Sequence, residues 1–222
     1  MNKICSLFLA VGLLPSFSLS VSANSLVEFP SGDAAWTVNF SPSAANAESG
    51  AASTKQQKQP SKIEVTQINK VRRIQITWND GTTTEQWALP PLPVNFEEDP
   101  RNGSIDPNLV DSPSEGYIKF VLPCDASAFH WVTPSARQEK DPIGYQGIQC
   151  FHYLGHDSPA PGAKPQSRET WIDSNTLRPV ALDTGTSLAV FTFAPKAPIG
   201  PLVIPAKFKK AIDYYKLVTG YR

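Results

Sequence analysis

Residues 62–88 constrain this chain more than any other stretch. Three strand-like runs are separated there by two tight turns, Asn69-Lys70 and Asp80-Gly81, the second a favoured two-residue hairpin turn. Side chains alternate with period two along a strand, so pairings centred on those turns decide which residues share a face. On that basis Val65 falls opposite Ile74, Ile63 opposite Ile76 and Ile74 opposite Trp87, all on one apolar face. Glu64, Thr66, Arg73, Gln75 and Gln86 take the other face, the pattern of an antiparallel meander covered on one side.

Further strands are expected at 34–40, 117–122, 128–132, 145–154, 168–172, 179–182 and 187–193, where β-branched and aromatic residues gather between turn residues. Residues 95–116 read as a polar, acidic, Pro-containing loop, and 41–61 as a flexible loop of Ala, Ser, Gln, Lys and Pro. Twenty-one prolines among 222 residues leave little room for long helices. One helix is expected near the end. Phe208, Ala211, Ile212, Tyr215 and Val218 fall at helical spacing, opposite Lys207, Lys209, Lys210, Asp213 and Lys216, and Pro205 suits its start. Its apolar stripe should lie on the apolar face of the meander, with Phe208, Ile212 and Tyr215 toward Ile74, Ile76 and Trp87.

Residues 1–23 read as a signal peptide: Lys3 precedes the apolar run 7–14, and Val21-Ser22-Ala23 supplies small residues before a cut at Asn24. The run is too short to span a bilayer. A secreted or periplasmic protein is expected, with residues 24–222 forming a single β-rich domain that is not membrane-spanning once the signal is removed. Lys plus Arg and Asp plus Glu are 20 each, so no global field recruits nucleic acid. Cys5 leaves with the signal, and Cys124 and Cys150 then form an even pair in an oxidising compartment, where a disulfide is expected.

Three groups of residues could carry chemistry. Asp183-Thr184-Gly185-Thr186-Ser187, set between Val180-Ala181-Leu182 and Leu188-Ala189-Val190, resembles the active-site loop of pepsin-like aspartic proteases. That family needs a second such carboxylate, and no second loop of the kind is present. Turn chemistry alone also favours these residues, so a hairpin turn is the expectation and an aspartic-type hydrolase using Asp183 the alternative. His130, His152 and His156 are weak metal-ligand candidates, because their spacing suits a helix in a region that reads as strand. Trp78, Trp87 and Trp131 are candidates for lining a ligand chamber, with core packing as the default. Gly-x-Ser-x-Gly, phosphate-cradling and dinucleotide fingerprints are absent, and no cofactor is expected.

Trp171-Ile172-Asp173, Thr176, Leu177 and Pro179-Val180, followed by an aromatic strand and a Pro-bounded helix, resemble the later half of a type of uncharacterised bacterial secreted protein. The run 72–81 with Glu85-Gln86-Trp87 is similar to the hairpins of the half-barrel periplasmic family that includes the outer-membrane lipoprotein carrier and the sigma-factor regulator. This resemblance implies a curved, half-barrel-like antiparallel sheet with one C-terminal amphipathic helix, a mainly β (α+β) fold of the envelope or beyond it. The expected function is a non-enzymatic binding or scaffold protein, holding a lipid or other apolar ligand between sheet and helix, or docking an envelope protein. A purely structural envelope role is a further alternative.

Overall fold

The first hairpin forms as its turn residues dictate. Asn69 and Lys70 both take positive φ, 51° and 68°, and pair β2 (Pro60–Ile68) with β3 (Val71–Trp78) so that Val65 faces Ile74 and Ile63 faces Ile76. The second differs from expectation by one residue. Its loop is Asn79-Asp80-Gly81, closed by Gly81 N donating to Trp78 O at 2.9 Å and Trp78 N to Thr82 O at 2.8 Å, with Gly81 at φ 80°. A three-residue loop with a left-handed glycine moves the register by one, and every side chain of β4 (Thr83–Ala88) changes face. Ile74 therefore meets Gln86, and Trp87 meets Arg73 on the opposite side.

The computed structural model describes residues 26–44, 58–109, 122–156 and 167–221. The other strands are β1 (Ala34–Pro42), β5 (Val94–Glu98), β6 (Ile105–Leu109), β7 (Ile143–Tyr145), β8 (Ile148–His156), β9 (Ser167–Asp173), β10 (Pro179–Asp183) and β11 (Ser187–Phe193). All join one antiparallel sheet in the order β6-β5-β4-β3-β2-β1-β11-β10-β9-β8-β7, open because its edges β6 and β7 do not pair. One helix, α1 (Ala206–Thr219), follows. The signal-peptide segment and the middle of the expected loop 41–61 lie outside the described residues, while the loop's ends belong to β1 and β2.

The sheet is curved around a plug. Seven adjacent strands, β3 through β8 in spatial order, send residues into a single cluster that includes Trp36, Val65, Ile74, Phe191, Leu182, Ile172 and Tyr153. Laid flat, seven strands would spread over about 29 Å. Val27, Leu122, Cys124, Ala128, Phe129 and Val132 can touch them all only if the sheet is concave toward them. The result is half-barrel-like, as expected. The occupant of the concavity is not α1 but these connecting segments.

Several expected elements are corrected. Residues 128–132 are not a strand: Asp125 caps a 3-10 turn at Ala126–Phe129 by accepting from Ser127 N, and the turn still buries Ala128 and Phe129. Residues 145–154 are two strands, β7 and β8, divided by Gln146 and Gly147 at φ 51° and 80°. The expected strand 117–122 lies outside the described residues except for Leu122, which is not in a strand. Residues 95–116 include two strands, β5 and β6. Glu97 and Glu98 of β5 and the following Asp99 are buried with partners: Glu97 accepts from Asn108, Glu98 from Lys207 and from Glu85 N, and Asp99 from the Arg101 guanidinium at 2.7 Å. That guanidinium holds the Asp99 carboxyl below its ordinary range.

α1 lies on the opposite face, over β4 to β6. Phe208 and Ile212 are buried there with Trp87, Val94 and Phe96, and Tyr215 stands edge-on to Phe96 at 5.7 Å. Lys207, bound to Glu98, fixes the first turn to β5. Ile74 and Ile76 belong to the other core, so only the Trp87 part of the expected helix contact is met.

Candidate functional site

Where α1 meets the sheet, Trp87, Phe96 and Phe208 are each 0% exposed and pack in one cluster. Trp87 donates its indole N–H to Glu85 at 2.9 Å, and Trp78, in the other core, donates to Thr84 at 3.0 Å. Both are core residues. Trp131 is half-buried and lies over Gly155, where an added Cβ would stand 2.8 Å from its Cζ3. Its buried indole N–H has no hydrogen-bond partner among the described residues.

A cleft of about 670 Å³ opens instead at the end of the sheet where β1 begins and β11 ends. Residues 28–33 form one wall. They are tied down by Glu28 N to Leu177 O at 2.8 Å, Gln67 Nε2 to Gly32 O at 2.9 Å, and Asn69 N to Asp33 Oδ1 at 2.7 Å. The β9–β10 turn forms the other wall. Asp173 accepts there from Asn175 N at 2.8 Å and Thr176 N at 3.3 Å, and Leu177 is forced to φ 55°. A left-handed conformation costs a non-glycine residue about 1–2 kcal/mol, offset here as Leu177 packs on the central core.

Aromatic rings underlie the cleft. Phe29 and Phe193 line it, with ring centroids 6.0 Å apart, and Trp36 stacks on Phe193 at 6.0 Å. The Arg178 guanidinium sits 5.2 Å over the Phe193 ring and makes no ion pair among the described residues. Glu28 and Asp33 complete the rim. The cleft thus has a mostly polar lining, with two half-buried rings, one cation and two carboxylates. Nothing in the sequence marked Phe29, Arg178 or Phe193, although Asp173, Thr176 and Leu177, on which the resemblance rests, build the adjoining turn.

Asp183 ends β10, and its carboxylate accepts from Gly185 N at 2.7 Å and from Ser43 Oγ at 2.9 Å. Thr184 bridges to Thr186 and Ser187 at 3.0 and 3.2 Å, and Gly185 turns the chain at φ 76°. These contacts are those of a hairpin between β10 and β11. The cross-strand partner of Asp183 is Glu169, which accepts from His152 at 3.1 Å. His152 also stacks on Trp171 at 5.0 Å, and Tyr145 stacks on the same indole at 4.3 Å. Burial, then the Asp183 carboxylate, push the Tyr145 hydroxyl above its ordinary range.

His130 is exposed beside Ser127 O at 3.1 Å, and His156 is exposed at the end of β8. Among the described residues no three His, Cys, Asp or Glu side chains converge as a metal site would require. The expected disulfide is also corrected. Cys124 and Cys150 are both free and buried, Cys124 in the central core and Cys150 on β8 with its thiol directed at Ile148 O at 3.6 Å. Each thiol is satisfied as a small buried group in its own place.

No family model matches the chain, and no curated protein matches it. Among solved structures it is similar to the Mycobacterium tuberculosis lipoprotein LppX, at 13% identity and a TM-score of 0.40, over 76% of this chain and 88% of that one. It is also similar to LprF from Mycobacterium bovis, at 11% identity and a TM-score of 0.39, over 79% of this chain and 89% of that one.

Proposed function

We propose that this chain is an exported, non-catalytic binding protein of the cell envelope, and that the cleft beside β1 and β11 is where it holds its ligand. The observation that carries this reading is Arg178, a guanidinium without an ion-pair partner among the described residues, poised over the Phe193 ring in a cleft of about 670 Å³. A cleft of this size suits a small molecule, and its mostly polar lining, with two aromatic rings among charged groups, favours a small polar ligand that carries one anionic group and a short apolar part. The Arg178 guanidinium would pair with the anion, Phe29 and Phe193 would cover the apolar part, and Glu28 and Asp33 at the rim would accept from its donors. Leu177, held at φ 55° in the adjoining turn, adds support, since strained backbone gathers at ligand sites.

The hydrolase alternative has less support. Both oxygens of the Asp183 carboxylate are already engaged, Oδ1 by Gly185 N within the turn and Oδ2 by the Ser43 hydroxyl just past β1. Export rests on residues 1–23, and N-terminal sequencing of exported material should begin at Asn24. For the cleft, native mass spectrometry of protein recovered from its own envelope should reveal a bound small molecule. Ala194→Trp, which fills the cleft from an exposed position, should abolish that species, and Arg178→Ala should weaken its retention. Identical spectra for both variants and the parent would overturn the cleft as the site, and a ligand-free spectrum throughout would favour a structural role.

A further inference from the structure

The notable apolar surface of this molecule is on the outer side of α1. Tyr221, 40% exposed, follows the helix past the left-handed Gly220, and within the helix Tyr214, Leu217 and Val218, at 68%, 80% and 58% exposed, fall at i, i+3 and i+4. That spacing aligns them in one stripe, rotated away from the Phe208 and Ile212 stripe that meets the sheet. Val203, just before the helix, is 82% exposed. Such a stripe at a helix end is unusual for a surface that meets only water.

Charge decides the occupant. The chain as a whole is neutral, but α1 carries four lysines, Lys207, Lys209, Lys210 and Lys216, against the single acid Asp213. Lys207 is engaged with Glu98. Lys209, Lys210 and Lys216 remain for an outside partner. Leu, Val and Tyr on the helix, with a second Tyr just past its end, beside a surplus of Lys match the boundary of an anionic bilayer, where apolar groups enter the acyl region, phenols sit at headgroup level and ammonium groups meet phosphate.

We propose that α1 docks this protein on the surface of an anionic lipid membrane, lying in the interface without crossing it. Among the described residues no helix is long and apolar enough to cross. The sheet-facing stripe stays folded while the outer stripe enters the lipid, so docking needs no rearrangement. This surface is separate from the cleft, and either assignment can fail alone.

Flotation of the exported protein with vesicles of equal phosphatidylglycerol and phosphatidylcholine tests the proposal. Binding is expected, falling by at least about tenfold with phosphatidylcholine alone or in high salt. Leu217→Glu with Val218→Glu should reduce it by about tenfold or more, as should Lys209→Glu with Lys210→Glu. All four positions are exposed, so the variants should keep the parent circular dichroism spectrum and melting temperature. No binding by the parent, or binding indifferent to both pairs, would overturn the proposal. A concentration-dependent dimer in analytical ultracentrifugation, lost in the Leu217→Glu and Val218→Glu variant while vesicles are ignored, would also overturn it by making a second copy the occupant.

Discussion

Trp87 and Phe208 stand with ring centroids 6.1 Å apart on the face of the sheet opposite Ile74. Both are fully buried, so this pair joins α1 to β4. Phe208→Ala should cost about 3–5 kcal/mol in urea unfolding, whereas Lys209→Ala, at an exposed position, should stay within about 0.5 kcal/mol. Equal effects of the two would mean that the helix is not part of the core.

The conformation of Gly81 admits a direct test. Its φ of 80° is left-handed, so Gly81→Ala should destabilise by about 1–2 kcal/mol. Gly32→Ala, where an added Cβ meets open space without a positive φ, should be near neutral. Thermal melting of the two variants separates backbone strain from general loop tolerance.

Burial pushes the Cys124 thiol from 9.0 up to about 12 and the Cys150 thiol from 9.0 up to about 11. Only thiolate reacts, so both should resist a disulfide reagent at pH 8 in the native state and count as two thiols once unfolded. The unfolded chain loses these protons near pH 9 and the folded chain only later. Stability from this source is thus present below pH 9 and lost as pH rises from about 9 toward about 12. A reductant should leave the melting temperature unchanged, where a disulfide would make it fall.

Asp183→Asn should leave stability nearly unchanged, because the amide oxygen still accepts from Gly185 N. Asp183→Ala removes both acceptors and should cost about 1 kcal/mol. Acid-pH cleavage of an unfolded substrate by the parent, lost in Asp183→Asn, would replace the turn reading with a catalytic one.

The ladder of antiparallel strands was legible where pattern and turn chemistry agreed. Asn69-Lys70 set its register correctly, and β1, β9, β10, β11 and α1 stand near their expected bounds. Asp80-Gly81 misled because two-residue and three-residue loops share that dipeptide, and one residue decides which face Trp87 takes. β5 was hidden by its acids, whose burial depends on Lys207, Asn108 and Arg101, partners that composition cannot assign. The cleft was hidden for a similar reason. Phe29, Arg178 and Phe193 come from three separate segments: the β10–β11 register, continued, sets Arg178 opposite Phe193, and the Glu28 N to Leu177 O hydrogen bond brings Phe29 beside them.

The register of the Asn79-Asp80-Gly81 loop has a consequence for cooperativity. The buried residues of the two cores are distinct sets on opposite sides of one shared ladder, joined by backbone hydrogen bonds more than by side chains. Release of α1 would expose Trp87 and Phe96 to water while Trp36 and Val38 stayed dry. Such a molecule should open in two stages, with amides of β4 to β6 exchanging with solvent through a local event and those of β1, β2 and β11 only on global unfolding. A single loop residue thereby turns one sheet into two separately meltable units.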